Sequence, residues 1–210
     1  MQQPSKVTWY PSTYYKTNFG EIIDGIDKCI DNNFTRTLLK AVFLQAFNAF
    51  LRLGEILIHS PKEAGSVIQK QDVSFTYCNR RPQSLTLVIR HYRNIKNNQS
   101  ITITIEANHN NSQLCPVTAV HSHLWNHSRV DGPLFQNIGG TPVTHSYVIG
   151  QLTFILKFLG IDPKFYKGHS FRIGAATHAC DYLRFFGTIY KTTRKMELKC
   201  SSEIYPHFLV

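Results

Sequence analysis

The chain has 210 residues, 42% of them hydrophobic and 17% charged, enough apolar material for one core and too much for a wholly disordered chain. With 23 Lys+Arg against 13 Asp+Glu the formal net charge is +10, which favours an anionic partner, nucleic acid or an acidic membrane face, and says nothing about fold. The five cysteines, Cys29, Cys78, Cys115, Cys180 and Cys200, are scattered and form no CxxC pair, which argues against a zinc module and a disulfide framework and for a reducing compartment.

Residues 1–20 carry Pro4, Pro11 and several aromatics and read as an irregular lead-in without the apolar core of an export signal. Ile22, Ile23, Ile26 and Ile30 recur at helical spacing and predict a short amphipathic helix over Phe19 to Asn32. Capping side chains between Asn33 and Thr37 precede a long helix from Leu38 to Ile58, apolar on nearly all sides and therefore central. Lys40, Gln45, Asn48, Arg52 and Glu55 interrupt that stretch; a bilayer disfavours such charges, so a buried helix is expected and no membrane partner.

The period then changes. Val73, Phe75 and Tyr77 alternate with polar residues, as do Leu85, Leu87 and Ile89, and then Ile101, Ile103 and Ile105. Three period-two runs predict a small antiparallel sheet, with Asn97-Asn98 suited to the second turn. Helical spacing returns from Pro116 to about Trp125, then from His145 to Leu159 with Thr144 as cap and Gly160 as stop, then from His169-Ser170 onward. The fold class is mainly α with a small three-stranded antiparallel sheet. The expected boundaries are a lead-in over 1–20, one main domain over 21–179, and a C-terminal segment of less regular pattern over 180–210.

Two short runs could carry chemistry. Arg52, toward the end of the buried helix, must be paired or face a cleft, because an unpaired buried charge costs several kcal/mol; a helix-end pair with Glu55 is the plain alternative. In Gly168-His169-Ser170-Phe171-Arg172-Ile173-Gly174-Ala175-Ala176-Thr177, His169 and Arg172 fall on one helix face at i and i+3. A cation and an imidazole beside a helix start suit a phosphate, although a lone HxxR is commonly a solvated face. His121, His123 and His127 read as surface histidines, not zinc ligands. Trp9, Tyr10, Tyr14 and Tyr15 read as loop packing.

The Arg52 segment, Cys115-Pro116-Val117, Gly132-Pro133-Leu134-Phe135 and Gly168 to Thr177 occur in this order and at suitable separations. Together they resemble the catalytic domain of the tyrosine recombinases (the phage-integrase family), particularly recombinase-like proteins of eukaryotic mobile elements, over roughly residues 20–179. The resemblance implies DNA strand cleavage by a tyrosine hydroxyl, a 3′-phosphotyrosine, and rejoining without any cofactor. It implies that Arg52 and Arg172 neutralise the phosphate oxygens and that His169 assists proton transfer. It also implies double-stranded DNA as partner, self-association on DNA, and a nuclear location in a eukaryote.

Two family positions depart from the pattern. Where a lysine acid is expected on the hairpin, Arg93 stands with Lys96 a short step on, and arginine is a poor proton donor. Lys96 takes the role, or the step is impaired. Arg80, Arg81, Arg90, Arg93 and Lys96 contain no acid among them and are expected to meet DNA. The nucleophile is expected at Tyr205 after Ser201-Ser202, with Tyr182 and Tyr190 as rivals; Leu198 stands where a tryptophan is expected, and the family's Gly-Arg pair is missing. The alternative reading is a catalytically inert DNA-binding relative; a type IB topoisomerase is more distant.

Overall fold

The computed structural model describes residues 13–187 except 91–99 and 128–130, with the side chains of residues 13–18, 127 and 179–187 also left out. Six helices are described: α1 (Thr13–Cys29), α2 (Asn33–Asn48), α3 (Leu53–Ile56), α4 (Pro116–His127), α5 (His145–Phe158) and α6 (Ser170–Gly187). With them stands an antiparallel sheet of β1 (Val73–Cys78), β2 (Arg81–Ile89) and β3 (Ile101–Glu106), in that spatial order, against which α4 packs. The expected class is the observed one.

α1 begins at Thr13, inside the stretch read as a lead-in, and ends at Cys29. Its isoleucines at 22, 23 and 26 are buried, and it packs against α2, α5 and α6. α2 starts earlier than expected because Asn32, not the 33–37 run, is the cap: its Oδ1 accepts from the Thr35 amide at 2.9 Å. From Leu38 to Ala46 every α2 residue except Lys40 is buried, so α2 is the central helix.

The long helix expected through Ile58 is broken. α2 stops at Asn48, and Leu51 donates to the Ala46 carbonyl at 2.9 Å while Phe50 donates to that of Phe47 at 3.3 Å. That pair of bonds is a Schellman-type ending. It requires a left-handed residue, and Phe50 supplies it at φ 54°. Periodicity could not show this break because the usual signal, glycine, is absent.

In the sheet, Leu85, Leu87 and Ile89 of β2 face Ile105, Ile103 and Ile101 of β3 in register. The buried members, Leu85, Leu87, Ile89, Ile103 and Ile105, join the core, each contributing roughly 1.5–3 kcal/mol. β1 and β2 are joined by a two-residue turn with Asn79 and Arg80 at φ 50° and 65°, the mirror-image turn that matches strand twist. α5 follows its sequence signals: Thr144 Oγ1 accepts from the Tyr147 amide, and Gly160 follows the last turn at φ 71°. No helix among the described residues is long and apolar enough to cross a membrane.

Candidate active site

Arg52 sits in the extended link between α2 and α3, at φ −80° and ψ 146°. Leu51 and Leu53 on either side are buried at 1% and 0% exposure, so the alternation of extended backbone turns the Arg52 side chain outward, where it is 41% exposed. Glu55 fixes the link from inside α3. Its Oε2 accepts from the Arg52 amide at 2.8 Å, and its Oε1 lies 3.4 Å from Arg52 Nη1. The plain Arg52–Glu55 pair is therefore real.

It is also half of a larger arrangement. Arg172 Nη1 lies 3.8 Å from the same Glu55 Oε1, too long for a hydrogen bond and close enough for a charge contact. One carboxylate oxygen thus faces two guanidinium groups, which brings those two nitrogens within about 7 Å of each other, inside the screening length of physiological salt. Residues 120 positions apart in sequence converge on one small volume.

Packing of α6 explains how Arg172 arrives there. Phe171 is buried, stacked on Phe43 of α2 with centroids 4.7 Å apart and edge-on to Phe19 of α1 at 6.2 Å. With Phe171 and Ala175 pinned to the core one turn apart, Arg172 falls on the adjacent face toward α3. The turn before α6 is closed by Ser170, whose Oγ accepts from the Lys167 amide at 2.8 Å. A backbone bond then joins the two segments directly: the Leu53 amide donates to the Gly168 carbonyl at 3.1 Å. It places the residue after Arg52 against the residue before His169. His169 itself is exposed at the start of α6.

Of the other expected site residues, the described ones are dispersed. Arg80 and Arg81 are exposed at the β1–β2 turn, and Arg90 follows the far end of β2, about 30 Å away for a nine-residue strand. Arg90 is held by Asp72, with Nε at 2.6 Å from Oδ1; that carboxylate is buried and fastens the guanidinium's proton more firmly than usual. Arg93, Lys96, Tyr190 and Tyr205 lie outside the described residues, as do the Asn97-Asn98 turn, Trp9 and Tyr10; the side chains of Tyr14, Tyr15 and Tyr182 do too.

One expectation is corrected outright. His123 is not a surface histidine: it is 2% exposed and packs between the rings of Phe34 and Phe135. Its place on the α4 face opposite α2 makes it a core residue. No group of three or more metal-ligating side chains exists among the described residues.

Sequence reading missed the double role of Glu55 and an imidazole pair beside the site. His59 and His145 have ring centroids 4.5 Å apart. His145 is half-buried, and burial, then the neighbouring His59, lowers its affinity for a proton. The only sequence signal for Glu55 was its spacing of three from Arg52, and nothing in the sequence joins His59 to His145.

This helical fold with a three-stranded antiparallel sheet is that of solved tyrosine recombinases. The chain is similar in structure to the site-specific recombinase XerH bound to its difH substrate in a pre-cleavage complex, with a TM-score of 0.55 and 16% identity over 80% of this chain and 42% of that one. It is likewise similar to XerH on a palindromic difH substrate in a post-cleavage complex, with a TM-score of 0.53 and 16% identity over 84% of this chain and 45% of that one. The chain thus spans less than half the length of these recombinases, and at this identity the likeness is one of fold. No protein-family model matches the sequence, and no curated protein matches it.

Proposed function

We propose that the chain cleaves and rejoins DNA strands through a covalent 3′-phosphotyrosine. The observation that carries this reading is the meeting of Arg52 and Arg172 on Glu55 Oε1. Two guanidiniums and one carboxylate leave a net positive volume beside exposed His169. A phosphodiester is the anion this volume fits: its two nonbridging oxygens accept planar N–H pairs better than a single carboxylate oxygen at 3.4 and 3.8 Å.

The chemistry then balances without a cofactor. The Tyr205 oxygen attacks phosphorus as its proton leaves with help from His169. The new phosphorus–oxygen bond replaces the bond to the 5′ oxygen, which departs with a proton from Lys96. Arg52 and Arg172 stabilise the charge that grows on the nonbridging oxygens, a contribution of about 3–4 kcal/mol per well-placed donor. Reversal with another strand's 5′-hydroxyl rejoins the backbone, and the phosphotyrosine conserves the bond energy meanwhile. Recombination or integration of a mobile element, with protomers associating on the DNA, is the setting this chemistry serves.

The test is covalent trapping. A pool of nicked duplexes, from which the 5′-hydroxyl fragment diffuses away after cleavage, is incubated with the protein and denatured. An adduct present in the wild type and absent in Tyr205→Phe is the expected result. Binding without any adduct would make the chain an inert DNA-binding relative, and an adduct that survives Tyr205→Phe would assign the nucleophile elsewhere.

A further inference from the structure

The His59–His145 pair lies outside the catalytic set yet touches both of its segments. A side chain at Gly54, two residues after Arg52, would put its Cβ 2.9 Å from His59 Nε2. One at Gly168, just before His169, would put its Cβ 2.5 Å from His145 Nε2. Each ring edge therefore abuts one of the two backbones that carry the arginine–histidine cluster, and glycine at both positions is what admits the rings. The pair is held from below as well: the His145 amide donates to the Ile58 carbonyl at 2.8 Å. That amide is therefore consumed within the fold.

We propose that His59 and His145 form a second phosphate-binding subsite beside the Arg52–Arg172 pair, taking up one proton as the neighbouring phosphate of the same DNA strand seats there. The proposal rests on the phosphodiester reading given above. Two rings 4.5 Å apart can carry one proton between them at modest cost, while a second would meet direct like-charge repulsion. The charged and titratable groups on the surrounding segments decide the sign. Arg52 and Glu55 lie on the α3 side; Lys62 and Glu63 lie on the next turn, where Glu63 Oε2 accepts from the His59 amide at 3.0 Å; Lys167, His169 and Arg172 lie on the α6 side. α5 contributes no acid in its first turn.

In the free protein burial, then the neighbouring His59, lowers the proton affinity of His145. A backbone phosphate reverses the balance, because an imidazolium on it gains a charge-assisted hydrogen bond. His59 is exposed and His145 half-buried, so a phosphate can reach the pair from solvent. The consequence is linkage: each proton taken up makes binding up to tenfold tighter per unit fall in pH.

The experiment is calorimetric binding of a short duplex to the full chain between pH 6 and 8, in two buffers of different ionisation heat. The wild type is expected to take up about one proton, with affinity rising several-fold per pH unit on acidification. His59→Gln/His145→Gln is expected to lose that uptake and flatten the pH dependence. In the wild type, the C2 protons of both rings should titrate at higher pH with duplex than without it, a readout that needs no variant to fold. Unchanged proton uptake in the double variant, or ring titrations indifferent to DNA, overturns the subsite. Arg52→Ala and Arg172→Ala separate the two levels. If they weaken binding while the histidine variant changes nothing, only the subsite fails; if they leave binding intact, the phosphodiester reading fails and takes the subsite with it.

Discussion

The Leu53 amide donates to the Gly168 carbonyl at 3.1 Å, and through this one bond the arginine of one segment and the HxxR helix of another share a common reference. Neither neighbour is catalytic in type. Leu53 is wholly buried, so the bond is protected from water and the relative position of Arg52 and His169 is set by main chain, not by mobile side chains.

Glu55 is the acid placed between Arg52 and Arg172. Glu55→Gln keeps the shape and removes the negative charge from between two cations that lie within about 7 Å of each other. The protein should lose roughly 1–3 kcal/mol of stability, measurable by urea unfolding. Its affinity for duplex DNA at low salt should hold or rise, because the phosphate no longer competes with a carboxylate. A fall in affinity would mean that Glu55 orders the site more than it occupies it.

Arg172 tests chemistry more than binding. Arg172→Ala should cut the rate of adduct formation by about 10²–10³-fold. Arg172→Lys should recover little of it, since an ammonium cannot present the planar donor pair. Full recovery with lysine would reduce the role of Arg172 to simple charge.

Phe50 holds a left-handed backbone at φ 54°, a conformation that penalises a side chain by roughly 1–2 kcal/mol. Phe50→Gly and Phe50→Ala both lose the ring, but only glycine removes the strain. The glycine variant should therefore be more stable than the alanine variant by about 1 kcal/mol, the reverse of their order within a helix. Thermal unfolding of the two variants decides it.

Gly168→Ala drives a methyl against His145 Nε2, a separation of 2.5 Å that must open. The variant should unfold more easily and trap less adduct, as the turn before His169 shifts. Adding His145→Ala removes the obstacle, so the double variant should be more stable than the sum of the singles predicts. Strict additivity in a double-mutant cycle would contradict the contact.

Burial, then the neighbouring His59, depresses the proton affinity of His145 below its ordinary value of 6.5. In the absence of DNA the unfolded chain therefore binds the proton better than the folded one. The stability His145 contributes is complete above pH 6.5 and is lost as pH falls through that value toward the lower folded one. Urea unfolding from pH 7.5 to 5 should show this decline, and His145→Gln should make it shallower.

Much of the fold was legible because short-range pattern coincides with long-range packing. The three period-two runs became β1 to β3, with Leu85, Leu87, Ile89, Ile103 and Ile105 buried and Tyr77 left exposed, and Thr144 and Gly160 bounded α5 where a cap and a stop belong. What stayed hidden was set by tertiary context. The end of α2 depends on a left-handed Phe50, which no propensity favours. The burial of His123 follows from α4 packing on α2, and the His59–His145 pair joins residues 86 positions apart. Arg52 and Arg172 were recognisable by motif; that Glu55 serves both was not, because a spacing of three from Arg52 explains only one of its contacts.

The most direct measurement is the salt dependence of duplex binding for the wild type, Arg52→Ala, Arg172→Ala and the double variant. Each phosphate neutralised contributes about 0.9 to the slope of log affinity against log salt. If both guanidiniums grip a single phosphodiester, either one alone still neutralises it, so each single variant should lose little and the double variant about 0.9 in slope. A loss near 1.8, the sum of two independent contacts, would place the arginines on separate phosphates and contradict the account.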